Sequence, residues 1–246
     1  MIKLNKIYNE DCLDTMSKIP DNYVNLIITS PPYNKNFYTK KNTIKKYDTA
    51  NFRTIDYDNY NDNLEPEIYI NWQKKILKEC CRILKKDGSI FYNHMDILNN
   101  HLTIHPSFIY DFNIKQILIW DRSNTPKLDN NYFYPINEWI FWIKKNKESK
   151  TKFYRKKCVF QKSIISLRPD IKNNHPAPFP LQLANNFILS CSDVNDIIYD
   201  PFMGSGTTAI ASIINDRNFI GSEISEKYNK VSNKRILKYK SQTKLF

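Results

Sequence analysis

The chain has 246 residues, 41% of them hydrophobic, which suits one larger domain with its own buried core. Its formal charge of +12 fits either a polyanionic partner, because Lys and Arg neutralise phosphates, or a solvated basic surface in a Lys- and Asn-rich chain. Five cysteines without a C-x-x-C pair argue against a disulfide framework or a metal site, and with no apolar run of about 18 residues we expect a cytoplasmic protein without a membrane partner.

The first elements in chain order are a strand, a short helix and a second strand, over residues 1–33. Residues 26–28 are Leu-Ile-Ile, a run typical of a strand buried in a parallel sheet. Pro31 and Pro32 end this strand, because proline fixes φ and lacks an N–H group. The Ser30 hydroxyl, the free carbonyls and the Tyr33 ring suit a planar group with an exocyclic NH₂, such as a nucleobase. The alternative is a strand-ending turn with a packed tyrosine.

Residues 34–64 are rich in Lys, Asn, Asp and Tyr and show little apolar periodicity. A loop of this length is usually functional or disordered. Because it directly follows the Pro-Pro-Tyr corner, we expect a mobile loop that covers whatever binds at that corner. The alternative is a disordered insertion that contacts nothing.

The middle of the chain alternates helical and strand patterns. Apolar residues at helical spacing predict a helix over residues 65–86, with Lys85 and Lys86 at its C-terminus. Asp87 and Gly88 then predict a turn into a strand at 89–92. A short helix at 106–110 follows, and we expect the strands at 114–120 and 133–145 to pair with each other.

Residues 144–174 are strongly basic and contain the interleaved aromatic residues Phe153, Tyr154 and Phe160. Basic and aromatic side chains in alternation are typical of a nucleic-acid surface. The alternative is an exposed basic loop. The side chains predicted to contact nucleic acid are Lys152, Arg155, Lys156 and Lys157.

Two of the only four glycines in the chain, Gly204 and Gly206, lie within residues 200–208. This run follows a predicted strand at 197–199 and precedes a predicted helix at 209–214. Strand, glycine turn and helix N-terminus together form a pocket for an anionic or nucleotide-like ligand. Glu223, on the next predicted strand, lies 223 − 200 = 23 residues past Asp200, a spacing typical of an acid that binds a ribose. The alternative is a purely structural turn, and a last helix is predicted at 226–240.

The Ser-Pro-Pro-Tyr corner and the glycine run resemble motifs IV and I of the amino-methyltransferases that modify DNA at adenine N6 or cytosine N4 with S-adenosylmethionine. Their order resembles the permuted β group of that family, and residues 175–180 resemble its motif X. The resemblance implies a Rossmann-like α/β fold: a mostly parallel sheet with helices on both faces, permuted motif order and a small target-recognition insertion. It implies one methyltransferase domain over 1–246, with target recognition in 144–174.

The resemblance also implies roles for individual residues. Ser30 Oγ and the Pro31 carbonyl accept hydrogen bonds from the target amine, Pro32 completes the corner, and Tyr33 stacks on a base that has left the duplex. Asp11 binds the cofactor adenine, although helix N-capping is the alternative for this residue. The predicted cofactor-binding residues are Asp11, Cys12, His175, Phe179, Asp200, Phe202, Gly204, Ser205, Gly206, Thr207, Thr208 and Glu223.

Ser30 stands where many adenine N6 enzymes of this family carry aspartate, and serine is more typical of the cytosine N4 enzymes. We therefore favour cytosine N4 over adenine N6 as the methylated atom. An RNA methyltransferase and a non-catalytic DNA-binding relative are the alternatives. The expected partners are double-stranded DNA, a cognate restriction endonuclease and a second copy of the chain.

Overall fold

The computed structural model describes residues 2–34, 62, 64–99, 102–123, 133, 136–169 and 179–243. Most of the predicted loop at 34–64 lies outside the described residues, as does His175. The strands are β1 Lys6–Tyr8, β2 Val24–Thr29, β3 Leu84–His94, β4 Ile97–Asn99, β5 Leu102–Ile104, β6 Ile114–Asp121, β7 Asn137–Ile143, β8 Ile164–Ser166, β9 Ile197–Asp200 and β10 Asn218–Ser222. The α-helices are α1 Cys12–Ser17, α2 Pro66–Ile83, α3 Leu181–Cys191, α4 Thr207–Ile214 and α5 Glu226–Thr243, and short 3₁₀ helices span Ser107–Asp111 and Arg155–Lys157.

Eight of the strands form one sheet in the order β1-β10-β9-β2-β3-β7-β6-β8. All neighbouring pairs are parallel except the two pairs that contain β7, which runs against the others. The predicted pairing of the strands at 114–120 and 133–145 is that of β6 with β7. The prediction of a mostly parallel, Rossmann-like α/β sheet is confirmed.

Helices cover both faces of the sheet, because successive side chains of a buried strand point to opposite sides. Ile27 of β2 packs with Leu77 of α2 in one core cluster, to which α1 also contributes. Leu26 and Ile28 pack on the other face with Phe187 of α3. Helices α4 and α5 form a third cluster on β10 and β1. None of the helices within the described ranges is long and apolar enough to cross a membrane.

The boundary between α2 and β3 differs from the prediction. The helix ends at Ile83 and the strand begins at Leu84, so residues 84–86 are extended and not helical. Lys145 Nζ donates to the Arg82 carbonyl in the last turn of the helix, at 3.0 Å, and to the carbonyl of the C-cap residue Leu84, at 2.7 Å. The cation at the helix C-terminus is therefore Lys145, where the sequence predicted Lys85 and Lys86. Gly88 lies inside β3 beside a register shift, where a Cβ would meet the Asn25 carbonyl oxygen at 2.7 Å.

The chain reverses direction across the sheet between β9 and β2. The chain passes from β9 to β10 on one side and from β2 to β3 on the other, and β9 and β2 are hydrogen-bonded neighbours. Ligands of open α/β sheets bind at the carboxyl ends of the strands at such a switch point. Both sequence motifs follow these two strand ends, so the fold brings them to one edge of the sheet.

Candidate active site

A cleft of about 740 Å³ opens at the carboxyl ends of β2 and β9. The Ser-Pro-Pro-Tyr corner forms one wall, and Phe202 and Gly204 of the glycine turn form the other. The remaining lining residues are Glu10, Asp11, Cys12, Trp72, Pro201, Ser222, Glu223, Ile224 and Tyr228.

The buried side chain of Asp200 connects the two walls of the cleft through hydrogen bonds. Its buried carboxylate accepts hydrogen bonds from Thr29 Oγ1 at 2.9 Å, the Phe202 N–H at 3.0 Å and Thr208 Oγ1 at 2.7 Å. Burial raises the pKa of Asp200 from 3.8 to about 6, against the lowering effect of these donors. The carboxylate therefore ties the end of β2 to the glycine turn and the first turn of α4.

The backbone angles of the glycine turn explain why glycine occupies two of its positions. Gly204 and Gly206 have positive φ angles of 52° and 83°, which glycine adopts without strain, and Gly206 precedes α4 as its N-cap. Glu223 Oε2 accepts a hydrogen bond from the Gly204 N–H at 2.8 Å. Burial raises the pKa of Glu223, and the charge of Asp200 adds to the effect. The Glu223 carboxylate thus lines the cleft beside the turn, within reach of a ligand.

The two threonines after the turn differ in their surroundings. Thr208 Oγ1 is committed to Asp200. Thr207 is 5% exposed, and its hydroxyl has no hydrogen-bond partner within the part of the chain that the structure describes. A buried hydroxyl without a partner is costly, which makes Thr207 the better candidate to meet a ligand. That both threonines contact the cofactor stays a prediction, and the hydroxyl that has no partner among the described residues favours Thr207 of the two.

Asp11 and Cys12 lie at the start of α1, against the cleft. Asp11 Oδ1 accepts a hydrogen bond from the Leu13 N–H at 2.7 Å, so the N-cap alternative for this residue is confirmed while its side chain also lines the cleft. Burial raises the pKa of Cys12 well above the ordinary thiol value, and the Asp11 charge adds to this, so the thiol stays protonated. Cys12 therefore lines the cleft as a small neutral side chain.

The Ser-Pro-Pro-Tyr corner is held by buried polar side chains. Tyr69 Oη and Gln73 Nε2 donate to the Pro32 carbonyl, at 2.9 and 3.3 Å. The hydrogen bonds found among the described residues leave the Pro31 carbonyl without a donor, as its predicted role requires. The Tyr33 ring is 6% exposed and lies 4.8 Å from the His94 ring, centroid to centroid. Its stacking on a base stays a prediction.

The Ser30 and Tyr33 hydroxyls lie 2.7 Å apart and continue into a cluster with Asn93 and Glu138. Sequence analysis missed both of these residues. Asn93 directly follows the apolar strand predicted at 89–92, which was the one available signal. Glu138 reaches the corner only because β7 pairs with β3.

Comparisons with known proteins agree with this geometry. The sequence profile of the DNA methylase family matches residues 24–234. The chain is 30% identical to the type II methyltransferase M2.MboI of Moraxella bovis, over 93% of this chain and 86% of that one. It is 27% identical to the DNA adenine methyltransferase YhdJ of Escherichia coli K12, over 94% and 82%. The solved PvuII DNA methyltransferase (cytosine-N4-specific) has the same fold, with a TM-score of 0.73 at 20% identity over 93% of this chain and 84% of that one.

The chain belongs to the N6/N4 DNA methylase family. Family membership confirms the predicted enzyme class, a site-specific DNA amino-methyltransferase that uses S-adenosylmethionine. The relatives named above include an adenine enzyme and a cytosine N4 enzyme, so the family does not decide which amine is methylated.

Phe179 of this methyltransferase lies beside the glycine turn, outside the lining of the main cleft. It lines a small cavity with Ile28, Asp200 and Thr207, and its ring packs against Trp120 at 5.9 Å. Two further aromatic residues, Trp72 and Tyr228, line the main cleft and were missed, although Trp72 belongs to the predicted helix. Trp72 packs edge-to-face against Phe202 at 5.7 Å, so it braces the glycine turn.

The predicted DNA-contacting lysines lie at the wrong edge of the sheet. Lys152 donates from its backbone N–H to the Asp87 carbonyl, near the start of β3, and its ammonium lies 3.0 Å from Asp193 and 3.4 Å from Asp196, before β9. These are amino-terminal strand ends, opposite the cleft. Burial lowers the pKa of Lys152, but the Asp193 hydrogen bond and the nearby carboxylates raise it overall. The charge of Lys152 is therefore already paired within the protein.

The rest of the predicted basic surface shares this position. Arg155, Lys156 and Lys157 form the 3₁₀ helix that follows Tyr154, whose N–H donates to the Ser190 carbonyl at the end of α3. These residues therefore lie away from the cleft, and their contact with DNA stays a prediction. Only the later part of the segment returns to the cleft edge, because β8 runs parallel to β6 and places Ser166 opposite Asp121.

Proposed function

We propose that this methyltransferase transfers a methyl group from S-adenosylmethionine to the N4 amine of a cytosine that has swung out of duplex DNA. When bound, the cofactor supplies an electrophilic methyl group on a sulfonium. The N–C bond forms as the S–C bond breaks, and the amine loses one proton to solvent. The observation that carries the proposal is the shared cleft, in which the Ser30 corner faces Phe202 and Gly204.

The amine of a base is a weak nucleophile, because its lone pair is delocalised into the ring. Ser30 Oγ and the Pro31 carbonyl are placed to accept hydrogen bonds from the two amine hydrogens and so to direct the lone pair at the methyl group. Alignment of this kind can supply roughly 7–11 kcal/mol of the rate enhancement. No covalent nucleophile is needed, which agrees with the buried, protonated Cys12.

The residues on the other wall fit the cofactor. Glu223 would accept hydrogen bonds from the ribose hydroxyls, and the Gly204 and Gly206 turn would let the methionine part approach the backbone closely. Thr207, buried and without a partner among the described residues, would donate to the cofactor carboxylate at the start of α4. Asp11, Phe179 and Phe202 would enclose the adenine and methionine ends, and Asp200 would hold the walls together.

Cytosine N4 is proposed over adenine N6 because serine occupies the acceptor position at residue 30. The test is to incubate the protein with S-adenosylmethionine and unmethylated bacterial DNA and to identify the methylated nucleosides by mass spectrometry. N4-methylcytosine is expected with the wild type. If the Ser30→Ala variant forms none, the methylation occurs at the corner that contains Ser30. N6-methyladenine would overturn the choice of base and leave the enzyme class intact. A methyl group found on RNA and never on DNA would overturn the function itself.

Three further expectations complete the proposal. We propose one methyltransferase domain over residues 1–246 that acts in the cytoplasm, with target recognition in the part of 144–174 that returns to the cleft edge. We also propose a homodimer, which light scattering would detect, and a restriction endonuclease of the same specificity. Methylated DNA that resists such an endonuclease would support that pairing.

A further inference from the structure

A buried ionic cluster lies behind the catalytic corner. Glu138, 6% exposed, accepts hydrogen bonds on Oε2 from the Tyr33 hydroxyl at 3.0 Å and from Asn93 Nδ2 at 2.6 Å. Its Oε1 accepts from Arg122 Nη1 at 2.7 Å, and this ion pair is itself largely buried. A carboxylate in such a place needs donors on both oxygens, and it has them.

The donors and acceptors of this cluster can be arranged in one consistent way. Asn93 must turn its NH₂ group toward Glu138, because its amide oxygen at 2.6 Å would repel the carboxylate. The single hydrogen of the Tyr33 hydroxyl is directed to Glu138, the stronger acceptor. Since Tyr33 Oη lies 2.7 Å from Ser30 Oγ, the hydrogen in that contact must come from Ser30.

This arrangement decides what Ser30 can do. Its one hydrogen is used on Tyr33, and Asn93 Nδ2 donates to Ser30 Oγ at 3.3 Å, which leaves the second lone pair of the oxygen to accept a hydrogen bond from the cleft. Hydrogen bonds in a chain polarise one another, so the negative charge on Glu138 makes Ser30 Oγ a better acceptor than an isolated serine. These hydrogen bonds thus give the Ser30 hydroxyl part of the acceptor strength that a carboxylate at the same position would have.

We propose that Glu138 is a positioning residue that acts through Tyr33 to fix Ser30 as the hydrogen-bond acceptor for the target amine. The inference rests on the proposed function, and it assigns this methyltransferase a positioning residue that lies behind the cleft and touches neither base nor cofactor.

The test is Glu138→Gln, which keeps the side-chain shape. Arg122 holds the glutamine oxygen at the Oε1 position, so the glutamine NH₂ faces Tyr33 and donates to it. The Tyr33 hydrogen then turns toward Ser30 and occupies the lone pair that the amine needs. We expect kcat to fall roughly 10- to 100-fold, the effect of reversing one charge-assisted hydrogen bond, while cofactor Kd stays close to wild type. Tm should also fall, because Arg122 loses its carboxylate partner in a largely buried ion pair, so kcat is measured well below the Tm of the variant.

Glu79→Gln is the matched control, because Glu79 also pairs with an arginine, Arg82, at 2.8 Å but lies on α2 away from the corner. It should leave kcat unchanged. In a Tyr33→Phe background the hydroxyl link to Ser30 is cut, and only the longer contact of Asn93 Nδ2 with Ser30 Oγ, at 3.3 Å, still joins Ser30 to the cluster. Glu138→Gln should then change kcat much less than it does in the wild type, by about twofold or less. Effects that multiply in the double variant would overturn the relay in favour of two separate structural roles.

The outcomes separate the two proposals. An active wild type together with an unaltered Glu138→Gln variant overturns the relay alone. A kcat loss matched by a loss of cofactor affinity also overturns it. A wild-type protein that methylates no DNA overturns the proposed function, and the relay with it.

Discussion

Replacing Asp200 with asparagine should change how the stability of the protein depends on pH. The pKa of Asp200 is raised from 3.8 to about 6 in the folded protein, chiefly by burial. Between these two values the folded state keeps a proton that the unfolded chain has lost, so the free energy of unfolding falls as pH rises through this window. At about 1.4 kcal/mol per pKa unit, the group contributes about 3 kcal/mol below pH 3.8 and almost nothing above pH 7.

Asp200→Asn keeps the shape and two of the three acceptor contacts but cannot titrate. The stability of the wild type minus that of the variant should therefore fall by about 1.4 kcal/mol between pH 5 and pH 8. Urea unfolding followed by circular dichroism at each pH measures both proteins, and the subtraction cancels every other titrating group. A difference that is flat across this range, or that grows as pH rises, would refute the assignment of a buried, proton-retaining carboxyl beneath the cleft.

The remaining predictions concern the glycine turn and the basic segment. Thr208→Val should lower the free energy of unfolding by about 1.5–3 kcal/mol, since it removes a hydrogen bond to a carboxylate. The matched Thr207→Val should leave unfolding nearly unchanged and weaken S-adenosylmethionine binding about tenfold in calorimetry; equal stability losses would contradict this contrast. Gly206→Ala should lower the free energy of unfolding by about 1–2 kcal/mol because of the positive φ at this position. The close contact of the new Cβ with Ser232 of α5 should lower it further. Lys152→Gln should cost about 1 kcal/mol or less of stability and leave DNA affinity within twofold; a large loss of affinity would restore its predicted DNA contact.

The sheet and both motifs could be predicted because their signals are local. The Leu-Ile-Ile run lies just before Ser30, and the strand, glycine turn and helix around Gly204 lie together within residues 197–214. The mostly parallel sheet follows from the alternation of such strands and helices. The end of α2 was misplaced, because its capping ammonium comes from Lys145, 63 and 61 residues away from the carbonyls that it binds.

The rest of the site depends on distant pairing. Glu138 meets Tyr33 across a separation of 105 residues, through the register of β7 on β3. Dependence on distant contacts also explains why the position of the basic segment, residues 144–174, could not be predicted from the sequence. Composition shows that Lys152 is one of many cations, but the carboxylates that neutralise it, Asp193 and Asp196, come from the loop before β9.

A crystal structure with S-adenosylmethionine bound tests the central claim most directly, through the distance from the sulfonium methyl carbon to Ser30 Oγ. An amine hydrogen-bonded to Ser30 lies about 3 Å from it, and a reacting methyl group lies about 3–3.5 Å from the amine. The account therefore predicts a methyl carbon within about 6 Å of Ser30, with the ribose on Glu223. A cofactor bound elsewhere, or with its methyl group turned away from the corner by more than about 10 Å, would contradict it.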